Sequence, residues 1–323
     1  MKAANLPSET SETRRVETEN RSRRGFLKTM SVLPVALSAA QEASRSTAAP
    51  AAEGTLPRIR FGKHSLSRLI CGANPFNAGS HLSVFVNREM RQYYTLEQVL
   101  KTLRRCQAVG INCWQSGGQN CQLYQRFLAE GGQMNYLSLG HDPAEIATLA
   151  KAGCAGVAHH GESTDQLFKR GQLDEIHDFL KRVRDAGMMA GVSTHMPDVV
   201  DAVESKGWEV DFYMCCVYER HRSAKDLEKL LGHVPIPVGE VYLQSDPPRM
   251  FKVMRQTKRP CLAFKILAAG RLSERREWVE HAFQQTFQSI KPNDAVIVGL
   301  YDKFSDQAAE DAEYTRRFGM QAG

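Results

Sequence analysis

Histidines and carboxylates follow the ends of several short apolar runs in this 323-residue chain. Imidazole nitrogens and carboxylate oxygens are the usual ligands of catalytic divalent metals. If the runs are strands whose ends meet, these side chains could hold a metal that polarises a carbonyl or activates water. In the alternative, each histidine only hydrogen-bonds a neighbouring loop. The candidate metal ligands are His141, His160, His195 and Glu240, with Glu219 as an alternative to Glu240.

A lysine, Lys265, lies within the apolar run Cys261–Ile266. A lysine in a buried strand is unfavourable unless it is paired or deprotonated. Lys265 could therefore act as a general base, a Schiff-base amine or an anchor for a phosphate or carboxylate. Alternatively, it only pairs with Glu219 or Glu240. The candidate catalytic residues are His160, Lys265, Glu240 and Glu219.

Other polar and aromatic side chains follow the same runs and are candidate substrate contacts. A long segment, residues 76–94, is rich in aromatic and polar residues, which is typical of a lid or binding loop. Trp114 could stack on a sugar or simply pack. The candidate substrate residues are Asn74, His81, Trp114, Gln115, His159 and Tyr218.

Eight short apolar runs alternate with longer amphipathic stretches, and this predicts the elements that position these side chains. Continuous apolar runs of this length are typical of strands buried on both faces of a parallel sheet. The predicted strands are Leu69–Ala73, Ile111–Gln115, Tyr136–Leu139, Ala155–Ala158, Met189–Ser193, Phe212–Val217, Cys261–Ile266 and Ala295–Gly299. Eight strands that alternate with helices favour a closed (β/α)8 TIM barrel, with catalytic groups at the carboxyl ends of the strands. An open doubly wound sheet should carry a glycine-rich phosphate loop after its first strand, and the sequence CGANPF is not such a loop.

Helix boundaries are also marked in the sequence. The stretch Thr95–Val109 begins with an N-cap threonine and is followed by Gly110. A helix, a glycine and a strand recur around Gly110, Gly153 and Gly187, as expected of a repeated αβ array. The segment Pro235–Leu243 interrupts this pattern and could be an extra strand or a loop over the barrel mouth.

Two runs, Arg58–Leu69 near the start of the predicted barrel and Val296–Gln307 near its end, match a known barrel family. They are similar to the opening hairpin with the first strand, and to the last strand with the phosphate-binding loop, of the aldo-keto reductase superfamily, which residues 57–318 resemble. The resemblance implies a carbonyl oxidoreductase that uses NADP and contacts it through Ser193, Thr194, Phe264, Gly299 and Lys303.

The chain departs from this family at the catalytic residues. Gln115 stands where the family has aspartate, Asn120 is nearest to the tyrosine position, and the third strand carries no lysine. Only the histidine after the fourth strand remains, as His159 or His160. Carbonyl reduction needs a proton donor of tuned pKa, which these changes remove.

The first 52 residues form a predicted twin-arginine export signal. They contain Ser22–Lys28 (SRRGFLK), a short apolar run and an alanine-rich segment, which are the three parts of such a signal. We therefore expect residues 53–323 to form one barrel domain that is exported already folded to the periplasm by the twin-arginine machinery. The apolar run is shorter than the ~20 residues of a membrane span, and no transmembrane helix is expected in the mature chain.

Composition excludes some partners. The 42 Lys and Arg are mixed with 36 Asp and Glu, and no basic stripe interleaved with aromatic residues suggests nucleic-acid binding. Several of the eight cysteines lie in apolar runs and are expected to be buried free thiols, with no zinc-site spacing. Three hypotheses remain for the small-molecule function: a nicotinamide-dependent reductase, a metal-assisted or cofactor-free isomerase, lyase or hydrolase acting on a carbohydrate, and a non-catalytic binding barrel.

Overall fold

The computed structural model describes residues 55–220, 222–236 and 240–320. The predicted export signal lies outside these residues. Two short strands, β1 (Arg58–Phe61) and β2 (His64–Ser67), form an antiparallel hairpin that precedes the barrel.

Eight parallel strands close into a barrel in which the first strand pairs with both the second and the eighth. Every predicted strand is present, with ends that differ by one or two residues, so the predicted (β/α)8 barrel is confirmed. The barrel strands are β3 (Leu69–Gly72), β4 (Cys113–Gly117), β5 (Asn135–Gly140), β6 (Gly156–His159), β7 (Met189–Thr194), β8 (Phe212–Cys216), β9 (Cys261–Phe264) and β10 (Ala295–Gly299).

Helices surround the barrel. Four of them had not been predicted, namely α1 inside the expected loop and α3, α5 and α11. The helices are α1 (Val84–Tyr93), α2 (Leu96–Ala108), α3 (Cys121–Ala129), α4 (Ile146–Lys151), α5 (Gly161–Lys169), α6 (Glu175–Asp185), α7 (Pro197–Ser205), α8 (Ala224–Leu231), α9 (Asp246–Gln256), α10 (Arg276–Ser289) and α11 (Gln307–Gly319).

The strand side chains alternate between two apolar layers, as the two-residue repeat of a strand requires. One layer fills the barrel interior and includes Ile70, Leu137 and Met214. The other packs the strands against the helices and includes Trp114 and Val192. The hairpin closes the amino-terminal end of the barrel, where Phe61 packs edge-on against Phe212 with ring centroids 4.8 Å apart.

The predicted boundary signals act as expected. The Thr95 hydroxyl accepts a hydrogen bond from the backbone N–H of Gln98, 3.2 Å away, and so caps α2. Gly110, Gly153 and Gly187 all have positive φ, at 97°, 79° and 79°. Only glycine adopts this conformation at low cost, and it lets the chain turn directly from helix into strand.

All eight cysteines are buried free thiols, as expected. Within the described part of the segment Pro235–Leu243, the backbone forms no strand, and the loop interpretation holds there. Among the described residues, no helix is long and apolar enough to cross a membrane.

Candidate active site at the barrel mouth

Lys265 directly follows β9, at the carboxyl end of the barrel, and is partly buried. Its φ of 60° is left-handed, a conformation that costs a non-glycine residue about 1–3 kcal/mol and that clusters at functional sites. Burial is the main reason that the pKa of Lys265 falls to about 8, and the nearby guanidinium groups of Arg220 and Arg271 lower it further. A lysine with this pKa is partly deprotonated near neutral pH, so its amine can act as a nucleophile or base.

Glu240 is the centre of a polar network beside this lysine. One carboxylate oxygen pairs with Arg220 and accepts a hydrogen bond from His81 Nδ1 at 3.0 Å. The other accepts a bond of 2.5 Å from the hydroxyl of Tyr242. Arg220 also contacts Glu162 at 3.2 Å. The network joins the segment after α8 to the loop after β3 and to the ends of β6 and β8.

His81 is neutral in this network. Burial, together with Lys265, Arg220 and Arg271, lowers the pKa of His81 to about 3. The contact with Glu240 is therefore a hydrogen bond from a neutral ring, not an ion pair. Asn74 donates to the other ring nitrogen at 3.3 Å, which fits this tautomer. His81 also has a left-handed backbone, with φ of 57°.

Arg271 fixes the loop after β9 to the rest of the mouth. Its guanidinium donates to the backbone carbonyls of Ala268, His81 and Glu240 at 3.2, 3.1 and 3.4 Å. The same group lies over the ring of Tyr242, 4.2 Å from its centroid. Arg271 therefore holds two mouth segments together through carbonyl oxygens and an aromatic face.

His195 is held by a buried aspartate, Asp165 of α5. Asp165 accepts a bond of 2.7 Å from His195 Nδ1, a bond of 3.1 Å from the His195 backbone N–H and a bond of 2.5 Å from the Thr194 hydroxyl. These bonds place the proton on Nδ1 and leave Nε2 as the acceptor in the neutral ring. α5 approaches so closely that a Cβ at Gly161 would lie 3.1 Å from His195 Cε1. This Asp–His pair has the arrangement of an oriented general acid–base.

The predicted metal ligands do not form a cluster. Among the described residues, no three histidine, cysteine or carboxylate side chains are placed together as metal ligands. The rings of His141 and His160 lie 6.3 Å apart, whereas His195 bonds Asp165 and Glu240 bonds the Arg220 network. The described residues of the mouth thus do not fit a resident metal.

Glu219 lies in a separate ion-pair cluster. Its carboxylate contacts Arg222 at 3.2 Å and Arg249 at 2.5 Å, and Arg222 also pairs with the buried Asp246. The cluster fixes the end of β8 to the start of α9. This placement favours a structural role for Glu219 over the expected catalytic one.

The residues expected to contact NADP lie at or just after the ends of β7, β9 and β10. Thr194 is fully buried, and its hydroxyl donates to Asp165 and accepts from the Met196 backbone N–H. Lys303 pairs with Glu89 of α1 at 3.6 Å. Ser193 is buried, while Phe264 packs edge-on against His195 and Gly299 is exposed at the end of β10. The contacts with NADP that the resemblance implies therefore stay a prediction for these strand ends.

Two of the expected substrate residues are in the core. Trp114 is fully buried between the strands and the helices, where its indole packs against Tyr136. His159 also points outward, bonding Thr164 at 2.8 Å and packing against Phe179 of α6. Strand alternation is the reason, because the side chains one position away face the barrel interior. His160, not His159, therefore belongs to the mouth, where burial and the neighbouring His141 lower its pKa.

Of the other expected substrate residues, Asn74 and Tyr218 follow the ends of β3 and β8, and Gln115 lies within β4. Asn74 contacts His81, and Gln115 is half-buried with its amide bonded to the Ser116 carbonyl at 2.8 Å. Tyr218 lines a cavity of about 260 Å³, together with Ile266, Phe251 and Trp278. The cavity is lined by α9 and α10 and is adjacent to the mouth.

Asp165 and Arg271 were missed in the sequence. Asp165 could have been found as a carboxylate on the buried face of α5, but α5 itself was not predicted. Arg271 follows three residues with positive φ, Ala268, Ala269 and Gly270, a conformation that sequence patterns do not reveal for alanine.

Comparison with known proteins adds support for the fold. No family model matches the chain, and no curated protein matches its sequence. Two solved structures named as aldo-keto reductases from Pseudomonas aeruginosa align with TM-scores of 0.54 and 0.52, at 13% and 14% identity. The two alignments cover 82% and 81% of this chain and 96% of each of the Pseudomonas aeruginosa chains. A 3-deoxy-D-arabino-heptulosonate 7-phosphate synthase from Thermotoga maritima aligns at 10% identity and a TM-score of 0.48, covering 81% of this chain and 91% of that one. At such identities the likeness extends to the barrel fold alone.

Proposed function

We propose that the barrel mouth is the active site of an acid–base enzyme, a lyase or isomerase, that acts on a small carbonyl or sugar-type substrate through the amine of Lys265. The observation that carries this proposal is the partly buried lysine at a strand end, held in a left-handed backbone conformation, and its pKa is lowered to about 8. Barrel enzymes place their catalytic groups at this end of the strands. The fold likeness to aldo-keto reductases is compatible with a carbonyl substrate but does not supply the reaction.

The proposed chemistry begins when the neutral amine of Lys265 adds to the substrate carbonyl carbon. The carbonyl oxygen takes up a proton, and loss of water leaves a C=N bond to the lysine. The resulting imine withdraws electrons from the neighbouring carbon, which eases proton removal or carbon–carbon cleavage there. His195, oriented by Asp165, is the proposed proton carrier, and His160 is a second candidate.

A trapping experiment tests this proposal. The protein is incubated at pH 7 with dihydroxyacetone and sodium borohydride, which reduces an imine to a stable amine. We expect peptide mass spectrometry to find the adduct on Lys265 at least ~10-fold faster than on an exposed lysine, because far more of its amine is neutral. The matched lysine is Lys181 of α6, whose side chain is 59% exposed.

Two variants complete the experiment. Lys265→Met should remove the fast-forming adduct, whereas Lys181→Met should leave it unchanged. Adducts spread evenly over the exposed lysines, with Lys265 unmodified, would overturn the imine chemistry. Protein isolated with stoichiometric bound NADP would instead favour the oxidoreductase hypothesis.

We further propose that this enzyme acts outside the cytoplasm. The support is the twin-arginine pattern around Arg23 and Arg24. The full chain should appear in the periplasmic fraction of a bacterial host, and the double substitution Arg23→Lys with Arg24→Lys should retain it in the cytoplasm. Periplasmic appearance of that variant would contradict twin-arginine export.

A further inference from the structure

Three cationic side chains converge on the mouth, from the ends of β8 and β9 and from the loop after β9. Arg220 and Arg271 are both close enough to Lys265 for their charges to act on its amine, and all three act on His81. Like charges gathered in a partly buried site repel each other unless an anion balances them.

The carboxylates of the mouth bond to other groups than Lys265 and Arg271. Glu240 and Glu162 both pair with Arg220, and Asp165 bonds Thr194 and His195. Lys265 and Arg271 form no ion pair with any carboxylate of the described residues. Arg271 bonds only to backbone carbonyls there, so its charge remains without an anionic partner in that part of the chain.

One buried donor in the mouth also lacks a partner. The side chain of Arg220 is only 10% exposed, and its Nε has no hydrogen-bond acceptor among the described residues. A buried N–H without an acceptor is unfavourable, and native proteins rarely leave one unless a ligand or water completes it. A guanidinium binds carboxylate and phosphate oxygens better than neutral acceptors because the bonds are charge-assisted.

We infer that the substrate carries an oxyanion, a carboxylate or phosphate, that Arg220 and Arg271 bind beside the carbonyl that reacts with Lys265. The inference rests on the proposed function and names its substrate class. The oxyanion accepts the Nε proton of Arg220 and supplies the missing counter-charge to Arg271. Because Arg271 is already held by Tyr242 and three carbonyls, binding requires little reordering of its side chain.

A set of three-carbon probes tests this inference without any reaction. Glycerol, glycerate and glycerol 3-phosphate differ mainly in the group at one end, and none has a carbonyl. In calorimetric titrations of the full chain at low salt, we expect at least one anion to bind at least ~10-fold more tightly than glycerol. The stronger of the two anions identifies the group as a carboxylate or a phosphate. Higher salt should weaken the binding.

Variants locate the binding site. Arg271→Gln should weaken anion binding at least ~10-fold, whereas Arg249→Gln, at the same end of the barrel but paired with Glu219, should leave it unchanged. Thermal unfolding of each variant confirms that it is folded. Anion binding that is equal in both variants, or no saturable binding up to ~10 mM, would overturn the inference.

The outcomes separate this inference from the proposed function. Trapping of dihydroxyacetone on Lys265 without anion binding would leave the imine chemistry standing and overturn the oxyanion site. Anion binding that depends on Arg271, with no adduct on Lys265, would leave the oxyanion site standing and overturn the imine chemistry.

Discussion

Lys265→Met should stabilise the barrel at pH 7 by roughly 2–3 kcal/mol. The folded barrel lowers the pKa of Lys265 from 10.5 to about 8, which corresponds to about 3.5 kcal/mol, and solvent screening of the partly exposed amine reduces this value. Methionine fills a similar volume without a charge, and both residues bear the same strain at a left-handed φ. Urea unfolding of the wild type and the variant at pH 7 measures the difference.

The pH dependence of this stabilisation has a definite sign. Between about pH 8 and pH 10.5 the unfolded chain keeps the lysine proton that the folded barrel has released. The unfolded state then binds more protons, so the stability of the wild type rises with pH across this window. The advantage of Lys265→Met is therefore complete below pH 8 and disappears toward pH 10.5. The groups that face the amine are Cys216, Arg220, Arg271 and His81.

Lys181→Met is the matched control. Because the amine of Lys181 is exposed, its replacement should change the free energy of unfolding by no more than ~0.5 kcal/mol at pH 7 and at pH 10.5. If Lys265→Met instead destabilises the protein at pH 7, the lysine serves the fold, and its proposed catalytic role loses its physical basis. A residue that costs stability but is required for adduct formation is typical of an active site.

The barrel was predictable because its signal is local. Each strand is a short apolar run, and the turns before β4 and β7 contain Gly110 and Gly187. Among the missed helices, α5 lacks such signals. The helix α5 begins immediately after the strand-end residue His160, without a capping side chain, and carries the polar residues Glu162 and Asp165. Its buried face was not evident from apolar spacing.

The site was only partly predictable, because its geometry depends on register and on non-local contacts. Barrel topology indicates that strand ends meet, which correctly placed Lys265, His160 and Glu240 near the mouth. A shift of one position decides whether a side chain faces inward, and this separates His160 from His159. One partner of Glu240 is His81, 159 residues away in the chain, and no spacing rule connects them.

The predicted metal site also depended on non-local contacts that the sequence does not reveal. Histidines and carboxylates at strand ends are compatible with metal ligation, but they are equally compatible with hydrogen-bonded pairs. The structure gives His195 an aspartate and Glu240 an arginine, two partners that the sequence had not connected with them. Asp165 accepts a hydrogen bond from His195, and Arg220 forms an ion pair with Glu240, so both groups already have charged partners other than a metal.

The second large effect concerns Asp165. Asp165→Ala should lower the free energy of unfolding by about 3–5 kcal/mol, because three donors of Thr194 and His195 lose their acceptor in a buried space. Asp165→Asn keeps the shape but removes the charge and one acceptor. It should cost less stability, yet slow formation of the Lys265 adduct by about 10²–10⁴-fold, since His195 would no longer be held in its tautomer.

Asp211→Asn distinguishes a catalytic from a structural effect. Asp211 also accepts from a backbone N–H, that of Ala190 at 2.9 Å, and from a side chain, Arg184 at 2.7 Å, but it lies at the opposite, amino-terminal end of the barrel. Its substitution should lower stability without slowing adduct formation. The nitrogen chemical shifts of the His195 ring should change only in Asp165→Asn. If both variants slow adduct formation equally at equal stability, the Asp165–His195 pair supports the fold and another group transfers the proton, with His160 the next to test.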